Sequence, residues 1–456
     1  MWSLVVNKFK SINQDQRSKA VYLNSAKSLL IKGLSLITGF FLVPVQLDLI
    51  GKEHYGIWVS IVSLMNWIFY LDIGLGNGLR NEYAIANSNN DFLKAKKLVS
   101  TSYITIFFFI SFLMIIFFGL NAHLNWNILL NTNLFNNHEI NCLIFFVVFS
   151  FLLRFLFQLV NFILLAEQKS YIGSFFPFIS NLLVLLSIIV YNNSEMNIID
   201  SFTYLVFMSS LIPLLVVVVY NFYFFLFSHK HLYPSFSFFD FSLLRNLSSV
   251  GIKFFLLQIS SIVIFSLSNL IIIHLLDENS VSDFNILFQL FGYITTFFMI
   301  IISPYWSAYT DAYYKGDYKW MMKTYRYIKK IWLYLILLVV LLLVNSRFIL
   351  NIWVGDQVRP STIFLFLNAL YVVLYCHMAI HNQIVNGIGR VFLQLRIAMF
   401  TTLIFIPLSF VFIKQFSLGL NGVLLSIIAC MLPFNILISL QVKKILNFTA
   451  HGFWNK

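Results

Sequence analysis

Apolar runs of about 20 residues recur along this chain, separated by short polar and charged clusters. That is the length an α-helix needs to cross the hydrocarbon of a bilayer. Inside lipid every backbone N–H and C=O must be satisfied within its own segment, so such runs are helices. The charge content agrees, since only 10% of the 456 residues are charged and 60% are apolar. A soluble domain usually carries about 25% charged residues. Too few polar side chains remain to coat a water-soluble body. This excludes a soluble enzyme, a secreted disulfide scaffold and a disordered tail protein.

Twelve runs are expected to span, at about 28–50, 55–75, 99–120, 141–165, 171–191, 201–227, 250–275, 282–305, 328–345, 362–385, 391–413 and 418–441. The first follows 27 mostly polar residues and is too long for the apolar region of a cleaved signal peptide. The fold class is an all-α polytopic membrane protein, with twelve transmembrane helices in two six-helix lobes related by a parallel repeat. The expected division is an N-terminal lobe over 1–227, a cytoplasmic inter-lobe linker over 228–249 and a C-terminal lobe over 250–456.

Basic residues set the orientation. With the N-terminus in the cytoplasm, 23 of the 30 Lys and Arg residues fall on inner segments. Only Lys52, Arg347, Arg359 and Lys414 fall outside, and Lys32, Arg154 and Lys253 lie within spans. Both termini are therefore expected to be cytoplasmic. The net charge of +13 reads as a topology signal with attraction to anionic lipid heads, and no nucleic-acid partner is expected. Cys142, Cys376 and Cys430 fall in or beside apolar runs without metal-ligand spacing, so they read as small core residues.

The two halves match at offsets of 221 to 226 residues. Lys32 falls on Lys253 and Ile50 on Leu276; Tyr83 falls on Tyr309, Asp91 on Asp317 and Lys97 on Lys323; Asn161 falls on Asn382 and Lys169 on Arg390. Both halves begin on the same side, so the repeat is parallel, a plan that transporters use with substrate sites near mid-membrane. The chain has no phosphate-cradling G-x-x-x-x-G-K-[ST], no H-E-x-x-H and no G-x-S-x-G. Its longest expected outer loop, about 121–140, carries one carboxylate, Glu139. Catalysis, a cofactor and a metal site are not expected.

The most distinctive stretch runs from Tyr55-Gly56-Ile57-Trp58 through Leu71-Asp72-Ile73-Gly74-Leu75-Gly76-Asn77-Gly78-Leu79-Arg80-Asn81-Glu82. It resembles the second-span region of the polysaccharide flippases, the O-antigen and capsule repeat-unit exporters of the multidrug/oligosaccharidyl-lipid/polysaccharide exporter superfamily. Ala166-Glu167-Gln168-Lys169 is similar to the family's turn between spans four and five, with Asn386-Gly387-Ile388-Gly389-Arg390 as its second-half counterpart. Gly419-Leu420-Asn421-Gly422-Val423 is similar to the turn that opens span twelve. The resemblance implies flipping of an undecaprenyl-pyrophosphate-linked oligosaccharide across the bacterial cytoplasmic membrane, two lobes rocking around a partly cationic cavity. It also implies a polysaccharide polymerase and chain-length proteins as partners. Two alternatives stand beside it: a Na⁺- or H⁺-coupled small-molecule exporter of the same superfamily, and a non-transporting membrane component of polysaccharide assembly.

Five residues are candidates for substrate contact. Arg154 sits near the middle of the fourth span, where a cation is costly and by default functional. The repeat places its second-half equivalent between 375 and 380, an interval that holds His377, with His381 one turn further on. Lys32 and Lys253 open the first spans of the two halves, placed either to hold phosphate at the cytoplasmic mouth or to snorkel to headgroups. Asp72 and Arg80, at the inner end of span two, and Asp48, near the outer end of span one, are expected to be structural or gating residues. The Phe-rich runs are expected to face lipid or pack.

Overall fold

The structure is a computed structural model and describes residues 16–66, 75–121, 123–167, 169–191, 197–244, 267–303 and 305–455. Among the described residues the architecture is helical throughout, without a strand. Ten helical segments among the described residues are long and apolar enough to cross a membrane. The expected second and seventh spans, 55–75 and 250–275, lie partly outside the described residues. The chain is a multi-pass integral membrane protein.

The helix α1 runs Gln16–Met65 and is interrupted at Gly51, which has φ 73° and ψ 168°. That region of backbone space is open essentially to glycine alone, so Gly51 ends one helix and lets the next begin at once. After it come α2 (Leu75–Ser88), α3 (Phe92–Asn121), the short α4 (Trp126–Leu129), α5 (Asn137–Phe157), α6 (Leu159–Ala166), α7 (Ser170–Tyr191) and α8 (Ile198–Tyr223). The second half has α9 (Glu278–Ile302), α10 (Tyr305–Tyr314), α11 (Tyr318–Val354), α12 (Thr362–Ile388), α13 (Phe392–Phe410), α14 (Leu420–Pro433) and α15 (Ser439–Leu446). The helix α11 reaches about ten residues beyond each end of the expected 328–345, because its flanking turns are amphipathic rather than apolar.

The duplication is visible in the backbone. Asn90 and Gly316, at the 226 offset, both take positive φ, 57° and 72°. Asp91 N–H then donates to Ala86 O and Asp317 N–H to Ala312 O, each at 2.9 Å. The same two aspartates cap the helices that follow, Asp91 Oδ1 accepting from Lys94 N at 2.9 Å and Asp317 Oδ1 from Trp320 N at 3.0 Å. Short polar side chains satisfy orphan N–H groups at a helix start in this way. One turn, built twice, carries the chain from α2 to α3 and from α10 to α11.

The chain forms two compact units: residues 1–49, 68–126 and 135–255 make the first, and 50–67, 127–134 and 256–456 the second. In the first unit the fourth span (α5 with α6) is the most shielded, with 61% of its apolar window buried against 22% for α3. In the second unit α12 holds that place, at 56% against 22% for α11. The core of the first unit is built around Ile144, Val147, Val160, Phe202 and Leu205, that of the second around Phe291, Val372, Ile384, Leu424 and Ile427.

Candidate functional site

The polar candidates fall on these two most shielded spans. In the first unit Arg154, Gln158 and Asn161 follow one another at i, i+4 and i+7, which puts them on one helical face. The helix loosens there. Asn161 N–H donates to Gln158 O, three residues back, at 2.9 Å, so Phe157 O loses its usual partner. Asn221 on α8 replaces it, donating from Nδ2 at 2.6 Å, while its Oδ1 accepts from Tyr103 Oη at 2.8 Å. A buried carbonyl is thus satisfied by a side chain, as it must be away from water. Arg154 is half-buried one turn before this break. The amide oxygens of Gln158 and Asn161 are buried and have no hydrogen-bond partner among the described residues. Gly173 on α7 leaves room for Asn161, since a Cβ there would lie 2.7 Å from its Oδ1. The face therefore carries one guanidinium and two buried amide oxygens.

In the second unit His377 and His381 occupy successive turns of α12. His381 is 1% exposed and both its nitrogens are engaged. Its Nδ1 donates to His377 O at 2.7 Å, and its Nε2 accepts from Tyr325 Oη at 2.9 Å. That arrangement is a packed histidine with both ring nitrogens engaged. His377 donates from Nδ1 to Asn435 Oδ1 at 2.7 Å, and the Trp332 ring lies 5.0 Å from it. Its Nε2 is the nitrogen of the pair left over for a ligand. Asn382, the repeat partner of Asn161, also has a buried amide oxygen without a partner among the described residues. The same unsatisfied acceptor recurs on the matching span of each unit.

A third cluster was not singled out from the sequence. Glu167, in the turn after α6, receives Tyr83 Oη at 2.9 Å, Lys169 Nζ at 2.7 Å and His229 Nε2 at 3.0 Å. The imidazole of His229 stacks on Phe224, with centroids 4.1 Å apart. Burial alone would raise the Glu167 carboxyl, but the hydrogen bonds and charges of His229 and Lys169 outweigh it and hold the pKa at about 2. Burial and the nearby carboxylate push the Tyr83 hydroxyl well up. The Ala166-Glu167-Gln168-Lys169 turn and the repeat match of Tyr83 to Tyr309 each mark one part of it, and nothing in the sequence joins them to His229. Both tyrosines are buried, but the Tyr309 hydroxyl has no partner among the described residues.

The remaining candidates stand apart. Lys32 is exposed on α1, Arg80 is exposed on α2, and Asp48 is exposed on α1 three residues before Gly51. Lys253 and Asp72 lie outside the described residues. Among the described residues no three His, Cys, Asp or Glu side chains gather as a metal site.

No family model matches the chain. By sequence it is 22% identical over 279 residues to a candidate O-antigen export protein of Yersinia pseudotuberculosis. The match spans 61% of this chain and 62% of that relative. By structure it is similar to an inward-facing multidrug resistance MATE family transporter of the MOP superfamily, with a TM-score of 0.74 at 16% identity, covering 93% of this chain and 98% of that one. The outward-facing conformation of such a transporter matches with a TM-score of 0.62 at 17% identity, covering 96% and 97%. A MATE structure in complex with MaL6 matches at 0.64 and 18% identity, covering 94% and 96%. The chain is thus a membrane protein with the fold of the MOP-superfamily transporters, and its sequence likeness runs to a candidate O-antigen export protein.

Proposed function

We propose that this protein is a flippase that carries a diphosphate-linked oligosaccharide, of the undecaprenyl-pyrophosphate type, from the inner to the outer leaflet of the bacterial cytoplasmic membrane by alternating access. The observation that carries the reading is the sign of the deep charge. Arg154 lies eighteen residues into a 30-residue span. Every described carboxylate on a membrane-length helix lies within six residues of a helix end or of the Gly51 break. A diphosphate leaving water needs cationic donors, and charge-assisted hydrogen bonds of this kind contribute about 1.5–3 kcal/mol each. The unpartnered amide oxygens of Gln158 and Asn161 lie on the same face as Arg154. The lipid tail remains in the bilayer throughout.

The second reading is a cation-coupled small-molecule exporter, favoured by the fold it shares with the MATE transporters. Coupling to Na⁺ or H⁺ calls for a deep carboxylate, which the described spans lack. On the proposed reading the protein is not an enzyme, both termini are cytoplasmic, and it works beside a polysaccharide polymerase and chain-length proteins. The test is deletion in the native host. Lipid-linked repeat units should continue to be made, collect in the inner leaflet and leave little surface polymer. Arrest of repeat-unit synthesis, or intact surface polymer with altered drug tolerance, would overturn the reading.

A further inference from the structure

In the first unit the cations that open α3 are taken up by the protein itself. Lys94 Nζ lies 3.2 Å from Glu82 Oε2, and Lys97 Nζ lies 3.2 Å from Asp240 Oδ2. Lys96 Nζ sits over the Phe238 ring, 4.3 Å from its centroid. Phe238 and Asp240 arrive on the segment that follows α8, which is tied down where Ser235 N–H donates to Ser100 Oγ and Asp240 N–H to Thr101 Oγ1.

The repeat-equivalent helix of the second unit, α11, opens with more cations. Lys319, Lys323, Arg326 and Lys330 follow at i, i+4, i+7 and i+11, one exposed stripe about 16 Å long. None of the four makes an ion pair among the described residues. The only acid beside them in sequence, Asp317, is occupied as the helix cap, accepting Trp320 N–H at 3.0 Å. The segment that follows α15 supplies Phe448, whose ring lies 4.3 Å from that of Tyr318. Its described residues, through Asn455, include no Asp or Glu. The stripe lines an open groove of about 640 Å³, walled on its apolar side by Tyr327 and Phe448.

We propose that this groove is a binding site for the phosphate-bearing headgroup of an anionic membrane lipid, which takes the place that Asp240 fills in the first unit. Its depth selects a lipid. The apolar run of α11 begins at Ile331, directly after Lys330, so the stripe lies in the headgroup layer at the end of a span, flanked by tyrosines suited to that layer. A soluble phosphate would leave the exposed Phe448 side of the groove uncovered, whereas the glycerol and upper acyl carbons of a lipid cover it. Basic pockets at the ends of spans hold anionic heads through this combination of charge and apolar surface.

The test uses the full chain, purified and held in phosphatidylcholine nanodiscs, with lipid binding read by native mass spectrometry after titration. Phosphatidylglycerol should bind about tenfold more tightly than added labelled phosphatidylcholine. The double substitution Lys323→Gln with Arg326→Gln should remove that preference, and Lys323→Arg with Arg326→Lys should keep it. The first-unit control, Lys94→Gln with Lys97→Gln, should also keep it. Single Lys319→Gln and Lys330→Gln changes, at the exposed ends of the stripe, should each weaken it about threefold and repeat the test if the double variant does not fold. Equal binding of the two lipids, or a preference that survives the double Gln change, overturns the proposal. Displacement of the bound lipid by millimolar inorganic phosphate would overturn the lipid source and assign the groove to free phosphate. None of these outcomes depends on transport, so the proposal can fail while the flippase reading stands.

Discussion

Arg154 concentrates the functional question in one side chain. Placing a cation that deep costs roughly 2.5–3.5 kcal/mol on insertion scales, and transport is the return that would keep it there. Arg154→Ala should abolish export while the protein still inserts. Arg154→Lys should restore part of it, because the charge survives although the bidentate fork is lost. Surface polymer per membrane-inserted molecule measures both, and normal export by the Ala form would remove Arg154 from the site. Glu167 poses a stability question instead. Its folded pKa of about 2 lies below the ordinary value of 4.5, so its contribution is fully present above pH 4.5 and is lost as pH falls toward 2. Glu167→Gln should therefore cost about 1.5–3 kcal/mol at neutral pH. The gap in melting temperature between wild type and variant should narrow as the pH drops from 5 to 3. A gap that stays constant over that range would show that the His229–Glu167–Lys169 contacts are not ionic.

At the scale of the helix, close approach decides what a substitution does. A Cβ on Gly56 would run into the backbone carbonyl of Glu278 at the start of α9, which cannot swing aside as a side chain can. Gly56→Ala should force the two helices apart and cost about 1–3 kcal/mol. Gly33 has nothing within 4 Å of where its Cβ would be, and Gly33→Ala should leave stability equal or raise it by about 0.5–1 kcal/mol. Thermal unfolding of the two single variants in one detergent checks the pair. The Tyr55-Gly56-Ile57-Trp58 motif was legible in the sequence, but its physical reason was not, because the surface that Gly56 meets is more than 200 residues away. The repeat was legible for the opposite reason. Asp91 and Asp317 do a local job, capping the helix they precede, so the same residue is needed at the same offset in both halves. The Glu167 cluster drew on Tyr83 and His229, from two other segments, and no local spacing announces such a meeting. The loosened turn at Gln158 was equally silent, since it shows only when Asn221 is seen to take the freed carbonyl.

For the whole molecule, the basic asymmetry makes a global prediction. Reporter fusions after residue 130 should read as outside and after residue 320 as inside, and inversion at both sites would end the proposed orientation. The hydropathy pattern could give the number and order of spans, because lipid imposes a fixed length on each. It could not give the membership of the two units, because residues 50–67 read simply as a continuation of the first half yet pack with the second. Lys52 pairs with Asp283 at 2.7 Å, Ser63 Oγ accepts from Asn269 Nδ2 at 2.7 Å, and Asn131 Nδ2 donates to Ile273 O at 2.7 Å. Translation meets this arrangement in order. At about 5–20 residues per second, the segment beyond Gly51 waits roughly 10–45 s after synthesis before its partners leave the ribosome. For that interval Ser63, within its expected span, lacks the Asn269 amide that will meet it. The turn at Gly51 therefore makes the first half of the nascent chain a debtor to the second, exposed to membrane quality control until residues 269–285 arrive.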